Sequence, residues 1–134
     1  MAKTYTLNVA GLTRELTICK VNDHMDIAAF IMLGDAELTV AAATELLKKC
    51  PEFDILLTAE AKGIPLAHEM SRQSGKRVLV VDDVISTGGS LKALDALAEK
   101  TQCTIVGQAA VLAEGDAAER KDIIFLEPLP LFFH

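Results

Sequence analysis

The distribution of apolar and polar residues predicts two kinds of structure along the chain. Residues 4–9 and 14–21 alternate apolar and polar positions around a turn at residues 10–12, which is typical of a β-hairpin with one buried face. Residues 26–33 are mostly apolar and indicate a strand or a short helix, whereas residues 37–49 have apolar positions at helical spacing. The chain is therefore expected to begin with a hairpin and to continue into a helix.

The remainder alternates apolar runs with helical segments. Continuous runs of Val, Ile and Leu indicate parallel strands buried on both faces, and strands that alternate with helices predict an α/β sheet. Strands are expected at residues 53–58, 77–82, 104–112 and 122–126, and helices at 65–73 and 90–100. The predicted fold class is α/β, a mostly parallel sheet flanked by helices in a Rossmann-like core, with an N-terminal β-hairpin hood. The 134 residues suffice for one domain, divided into a hairpin region (1–35) and an α/β core (36–134).

Charge and composition exclude several classes of function. The net charge of −6 argues against a nucleic-acid surface, which usually needs a basic patch. No apolar run approaches the roughly 18 residues of a membrane span, and no apolar segment of the kind found in signal peptides follows Lys3. We therefore expect a cytoplasmic protein. The three cysteines lie far apart and form no C-x-x-C pair, so a disulfide framework or a zinc site is not expected.

The stretch VLVVDDVISTGGS, residues 78–90, carries the main chemical signal. It ends where a helix is expected to begin, and free backbone N–H groups at a helix N-terminus favour an anion. Gly88 and Gly89 allow close approach of the backbone, and three hydroxyls can donate hydrogen bonds, those of Ser86, Thr87 and Ser90. The G-x-x-x-x-G-K-[ST] and G-x-G-x-x-G patterns are both absent. The stretch therefore predicts a phosphate site of another type.

Two adjacent acids, Asp82 and Asp83, narrow the choice of ligand. Carboxylates repel phosphate, but they accept strong hydrogen bonds from a vicinal diol. A ribose 5-phosphate has both a phosphate and neighbouring ring hydroxyls, so it satisfies the loop and the acids together. The acids also suit Mg²⁺, bound directly or through water. The alternative for either single Asp is a cap on a turn or on the following helix.

This stretch resembles the 5-phosphoribosyl 1-pyrophosphate (PRPP) motif of the type I phosphoribosyltransferases. LLTAEAKGIPLAHEMSRQ is similar to the family's pyrophosphate-binding loop and the helix that follows it. GQAAVLAEGDAAERKDIIFLEPLPLF is similar to the tail of the adenine phosphoribosyltransferase-like purine members, and FIMLGDAEL with the hairpin is similar to their N-terminal part. Ser86 replaces an acid found in the 6-oxopurine enzymes, which favours the adenine-like branch.

The resemblance implies a role for each matching residue. The ribose hydroxyls, with Mg²⁺, would be held by Asp82 and Asp83. The 5-phosphate would be held by Ile85, Ser86, Thr87, Gly88, Gly89 and Ser90, and the pyrophosphate by Ala61, Lys62 and Gly63. The base would stack under the hood, with Phe30, Leu129 and Phe132 as candidates that are also plausible core residues. The implied reaction is displacement of pyrophosphate from C1 of PRPP by a purine nitrogen, with catalysis by positioning and electrostatics.

The chain departs from the family between residues 73 and 77. There the family has a few dozen residues that include a mobile catalytic loop, and here Gly75 and Lys76 join the helix directly to Arg77. Because lids complete and sequester active sites, their loss lowers activity even where binding survives. The alternative function is therefore a catalytically weak or inactive core that binds PRPP or a nucleoside 5-monophosphate.

The short connection also bears on topology and assembly. In the family, the helix after the pyrophosphate loop leads to a strand on one side of its parent strand, and the PRPP strand lies on the other side. A direct link from the helix to the PRPP strand reverses the direction of this crossover, and about 98% of β-α-β crossovers are right-handed. We therefore expect the helix to change face, the strand order to change, or the unit to be exchanged between subunits. An exposed edge at residues 53–58 would favour a homodimer. VLVVDD also begins response-regulator receiver domains, but the expected strand at 104–112 leads into Ala113-Glu114-Gly115 and not into a phospho-acceptor Asp.

Overall fold

The computed structural model of the chain describes residues 3–59, 61–75, 79–100 and 105–133. The strands are β1 (Thr4–Val9), β2 (Leu12–Asn22), β3 (Met25–Ala28), β4 (Leu57–Thr58), β5 (Val80–Ile85), β6 (Gln108–Glu114), β7 (Ile124–Leu129) and β8 (Leu131–Phe133). The helices are α1 (Ala36–Lys49), α2 (Ile64–Ser74), α3 (Gly89–Lys100) and a short 3₁₀ helix, Gly115–Glu119. The strands form two four-stranded sheets, ordered β1-β2-β3-β8 and β4-β5-β6-β7.

The first sheet contains the predicted hairpin. β1 and β2 pair antiparallel around Ala10 and Gly11, which have positive φ angles of 51° and 77°. Two successive residues with positive φ match a tight turn whose twist suits the flanking strands. The apolar run at 26–33 forms a strand only as far as Ala28. The C-terminal tail adds a strand that was not predicted, because β8 pairs with β3 and so closes the hood with the end of the chain.

The second sheet is parallel throughout, as the continuous apolar runs predict. Residues 109–113 of β6 are fully buried, which fits a strand covered on both faces. Several strand boundaries differ from the prediction. β4 contains only Leu57 and Thr58, and β5 continues past Asp82 to Ile85, although the loop was expected to begin at Asp83. The strands expected at 104–112 and 122–126 are found at Gln108–Glu114 and Ile124–Leu129.

Helices cover both faces of the parallel sheet. Val81 and Ala109 pack on one face in a core shared with α1, α2 and the first sheet. Val80 and Ala110 face the opposite side and pack with Leu91 of α3. The mostly parallel α/β core flanked by helices is therefore present, with the antiparallel hood on the side of α1 and α2.

The crossover through α2 differs in hand from the crossovers that follow it. The order β4-β5-β6-β7 means that all three connections step across the sheet in the same direction. α2 packs on one face, through Leu66 and Met70, whereas α3 and the 3₁₀ helix pack on the other. Because right-handed crossovers predominate, we assign the exceptional hand to the α2 connection. α2 therefore lies beside α1 and connects β4 to the adjacent strand β5 of the same chain.

An ion pair joins the first sheet to the helical layer. Asp35 caps α1 by accepting the Leu38 N–H at 3.0 Å, and it also accepts hydrogen bonds from Nε and Nη2 of Arg14 on β2, at 2.7 and 3.0 Å. The Arg14 guanidinium lowers the pKa of the Asp35 carboxyl below its ordinary value. The hood is therefore fixed at the start of α1 by a bidentate contact.

In the described part of the chain no helix is long and apolar enough to cross a membrane. Cys19 is exposed and Cys50 is half-buried, and both are free thiols, while Cys103 lies outside the described residues.

Candidate functional site

The stretch that predicted an anion site forms a strand–loop–helix unit. β5 ends at Ile85, Ser86 and Thr87 form a bend, and α3 begins at Gly89. A cavity of about 220 Å³ lies at this junction. It is lined by Asp82, Val84, Ile85, Ser86, Thr87, Gly88, Gly89, Ser90 and Leu91. The first backbone N–H groups of α3 therefore lie at the cavity, where they can bind an anion.

Gly88 is needed for the backbone conformation of this loop. Its φ is +78°, in the left-handed region that residues with a Cβ rarely adopt. Its carbonyl accepts the N–H of Lys92 at 3.1 Å and so begins the hydrogen bonds of α3. A side chain at position 88 would disturb both the loop and the start of the helix.

Asp82 is the acid that faces the cavity. It is half-buried, and its Oδ1 accepts the backbone N–H of Asp83 at 2.8 Å. Burial, followed by the interaction with the Asp83 side chain, raises the pKa of Asp82 from 3.8 to about 6. A carboxylate that is costly to ionise here would be stabilised by a ligand that donates hydrogen bonds to it.

Asp83 has a different environment. It is 2% exposed, and its Oδ1 accepts the Val84 N–H at 3.0 Å. Its buried Oδ2 accepts no hydrogen bond from any group the structure describes, and the Nζ of Lys62 lies 3.6 Å away. A buried carboxylate oxygen without a donor is unfavourable in the isolated protein.

The loop after β4 lies against the same strand. A Cβ added to Gly63 would overlap Oγ1 of Thr58 and would lie 3.3 Å from Oδ1 of Asp82. Ala61 and Lys62 are exposed, while Gly63 is buried. The structure thus brings residues 61–63 together with the two acids, at the carboxyl ends of neighbouring parallel strands.

The three candidates for base binding lie elsewhere in the fold. Phe30 and Leu129 are 5% and 2% exposed and pack within the core below the hood. Phe132 is half-buried on β8, and its ring meets that of Tyr5 edge-on, with centroids 6.0 Å apart. None of the three lines the cavity at Asp82–Leu91, so base binding by these residues remains a prediction.

Two side chains at the site were not identified from the sequence. Thr58 contacts the Gly63 loop, and Arg120 lies beside Gly88, since a Cβ at Gly88 would be 2.9 Å from its Nη1. No local motif marks either residue. Arg120 follows the 3₁₀ helix after β6, and only the adjacency of β5 and β6 brings it to the loop.

Asp82 and Asp83 are better suited to a metal ion that is also bound by the ligand than to a metal ion bound by protein side chains alone. Among the described residues no group of three or more His, Cys, Asp or Glu side chains is placed to hold a metal ion. Mg²⁺ in phosphate-transferring sites is commonly bound by one or two carboxylates together with phosphate oxygens and water. Asp82 and Asp83 fit that pattern.

Comparison with known proteins supports the same chemistry. Residues 68–129, somewhat under half of the chain, match the family model described as a phosphoribosyl transferase domain. The chain is 40% identical over 63 residues to an adenine phosphoribosyltransferase of Trichodesmium erythraeum, covering 47% of this chain and 34% of the relative. It is 53% identical over 47 residues to the enzyme of Xanthomonas campestris pv. campestris, covering 35% and 25%, and 60% identical over 35 residues to that of Bifidobacterium longum, covering 26% and 18%.

These matches confirm the resemblance inferred from the sequence. The family match contains β5, the anion loop, α3 and β6. The chain spans about a third or less of the length of these curated relatives.

Proposed function

This chain is related to the type I phosphoribosyltransferases of the adenine branch, and from that premise we propose that it binds PRPP and transfers the phosphoribosyl group to an adenine-like purine. The observation that carries the proposal is the pair of acids at the anion loop. Asp82 lines the cavity beside the α3 N-terminus, and the neighbouring Asp83 has a buried oxygen that accepts no hydrogen bond from the described residues.

The anion loop supports binding of the 5-phosphate. The first residues of α3 line the cavity, where free backbone N–H groups of a helix N-terminus favour an anion, and the exposed residues Ser86, Thr87 and Ser90 also line it. The helix dipole adds a partial positive charge of about 0.5 at this end. A phosphate would therefore be held mainly by the backbone.

The acids support binding of the ribose. Asp82 is positioned to accept hydrogen bonds from ring hydroxyls, which would stabilise its ionised form. Asp83 lies further from solvent and beside Lys62, so it links the ribose side of the site to the loop of residues 61–63. That loop, with the exposed ammonium of Lys62, is suited to the pyrophosphate group. When bound, Mg²⁺ would neutralise pyrophosphate charge, with Asp82 and Asp83 as its protein ligands.

The proposed reaction requires no enzyme nucleophile. A purine ring nitrogen forms a bond to C1 of the ribose as the bond from C1 to the pyrophosphate oxygen breaks. Pyrophosphate leaves with the electron pair, and the nitrogen loses its proton. The chain would contribute by fixing the 5-phosphate and the ribose, so that C1 lies between the leaving group and the base. Ser86 at the loop favours an adenine-like base over a 6-oxopurine.

One observation favours a second candidate, a PRPP-binding or nucleoside monophosphate-binding core without efficient catalysis. Only five residues, 75–79, separate the end of α2 from the start of β5. No segment between these elements is long enough to close over C1 and exclude water, which is how lids complete such sites.

Calorimetric titration with PRPP and Mg²⁺, followed by adenine and a pyrophosphate-release assay on the same sample, distinguishes the candidates. Binding with adenine-dependent release supports the transferase. Binding without release supports the binding core, and no binding contradicts both.

A further inference from the structure

We propose that Arg120 holds the 5-phosphate of the ligand by donating from its Nη1 across Gly88, as the cation that the anion loop itself lacks. The proposal rests on the proposed function, since it assigns a residue to the phosphate half of the same site. It adds a phosphate contact from the segment after β6, which lies outside the loop motif.

The described side chains that line the cavity offer a phosphate no cation. Among the described residues its lining contains one acid, Asp82, and no Lys, Arg or His. A phosphate monoester carries nearly two negative charges at neutral pH. The α3 N-terminus offsets part of that charge, whereas Asp82 opposes it. An Arg or Lys would strengthen phosphate binding here, since ionic hydrogen bonds to phosphate are stronger than neutral ones.

Arg120 is placed to supply that charge. A Cβ on Gly88 would lie 2.9 Å from its Nη1, so the guanidinium is in contact range of the loop backbone. Nε and Nη2 both donate to the carboxylate of Asp122. Nη1 makes no hydrogen bond within the described residues, so it is the guanidinium nitrogen left to bind a ligand.

The fold fixes this placement. The 3₁₀ helix follows β6 on the same face as α3, and its Ala117 is 2% exposed in a core shared with Leu91 of α3. The Arg120 N–H donates to the Ala117 carbonyl at 3.2 Å. The backbone that carries Arg120 is therefore packed against the helix whose N-terminus forms the loop.

Asp122 positions the guanidinium. A bidentate pair fixes the plane of an Arg side chain, and the Asp122 carboxylate raises the pKa of Arg120 above its ordinary value. Asp122 itself is exposed. We therefore expect it to orient Arg120 without contacting the ligand.

Three variants separate phosphate binding from a structural ion pair. Arg120→Met removes the cation, and Asp122→Asn breaks the pair but keeps the cation. Arg72→Met is the matched control, because Arg72 is also paired with an acid, Glu69, and its removal changes the net charge equally. Each is titrated with ribose 5-phosphate in a calorimeter, and its thermal unfolding is recorded.

We expect Arg120→Met to weaken ribose 5-phosphate binding about ten- to a hundredfold, the size of a hydrogen bond to a charged group. Asp122→Asn keeps the cation and loses only part of its orientation, so it should weaken binding by no more than about threefold, and Arg72→Met should stay within about twofold. Arg120→Lys keeps the positive charge but lacks the planar guanidinium, so it should bind ribose 5-phosphate about three- to tenfold more weakly. This variant provides the test if Arg120→Met fails to fold.

Two results would overturn the assignment of Arg120. One is unchanged affinity in Arg120→Met, and the other is equal losses in Arg120→Met and Asp122→Asn, which would indicate a structural pair. If the unmodified chain does not bind ribose 5-phosphate, the proposed function fails, and the assignment fails with it. The titration of the unmodified chain thus separates the two kinds of failure.

Discussion

The ammonium Nζ of Lys62 lies 3.6 Å from Oδ2 of Asp83, so the loop after β4 is connected to β5 by an ion pair with one exposed and one buried partner. The Lys62 side chain is 58% exposed, and that of Asp83 is 3% exposed. Among the described residues, Lys62 pairs with a buried oxygen that accepts no hydrogen bond. The pair therefore contributes both to stability and to the orientation of the proposed pyrophosphate loop.

Replacing Lys62 by Met should lower the free energy of unfolding by about 1–2 kcal/mol, because it leaves the buried Asp83 carboxylate without a cation, although solvent screens part of the effect. Chemical denaturation measures the change. Lys48→Met is the control, since Lys48 is 63% exposed and pairs with a surface acid, Glu45. Lys48→Met should lower the free energy of unfolding by no more than about 0.5 kcal/mol. Adding Asp83→Asn to Lys62→Met should restore most of the loss, and equal effects of the two lysine variants would contradict this role.

Asp82→Asn should stabilise the isolated protein above about pH 6 and should have little effect near pH 4. The pKa of Asp82 is raised from 3.8 to about 6, so the unfolded state loses this proton first and stability falls as the pH rises between these values. Above pH 6 the gain should be about 1 kcal/mol, after allowance for screening at a half-buried position. Thermal unfolding at pH 4 and pH 7.5 measures the difference. A gain of equal size at both pH values would show that ionisation of Asp82 is not its cause.

Gly63→Ala should destabilise the protein by about 1–3 kcal/mol, because the added methyl overlaps Thr58 and approaches Asp82. The Gly63 φ is −76°, so the cost arises from lack of space and not from backbone conformation. Thr58→Ala in the same chain removes the overlapping hydroxyl and should recover part of the loss. If Gly63→Ala alone were as stable as the original chain in denaturant unfolding, the loop would not be packed against β4 and β5.

The sequence predicted most elements, because apolar periodicity reports burial directly. The α1 helix and the β1–β2 hairpin lie within a residue or two of their expected positions. The strand was expected to end at Asp82 and the loop to begin at Asp83. β5 nevertheless includes Asp82 and Asp83, and the adjacent loop supplies Lys62 as a partner.

The parts that were not predicted depend on long-range pairing. β8 is a strand because β3 offers it an edge, and its three residues carry no independent signal. The proximity of Arg120 to Gly88 depends on the order of β5 and β6 in the sheet. Local patterns specify the loop, but the strand order determines which distant side chains surround it.

The short edge strand predicts self-association. β4 is the outer strand of the parallel sheet, and the adjacent Ile55 is 45% exposed. Exposed strand edges pair readily, and a charge placed on them opposes pairing. We expect a dimer mass by light scattering at micromolar concentration and a shift toward monomer in Ile55→Lys. Val21→Lys, at a 50% exposed position on β2, is the control and should leave the mass unchanged. A monomeric mass for the original chain would contradict the predicted homodimer.

The most direct test of the central claim is calorimetric titration of the chain and of the double variant Asp82→Asn, Asp83→Asn with PRPP and Mg²⁺. Both Asn side chains retain an oxygen that can accept the backbone N–H groups of residues 83 and 84. The variant should therefore fold, which circular dichroism verifies. We predict that the original chain binds PRPP and that the folded double variant binds it at least tenfold more weakly. Equal affinity in the two proteins, or no binding by the original chain, would contradict the assignment of this strand and loop as a ribose 5-phosphate site.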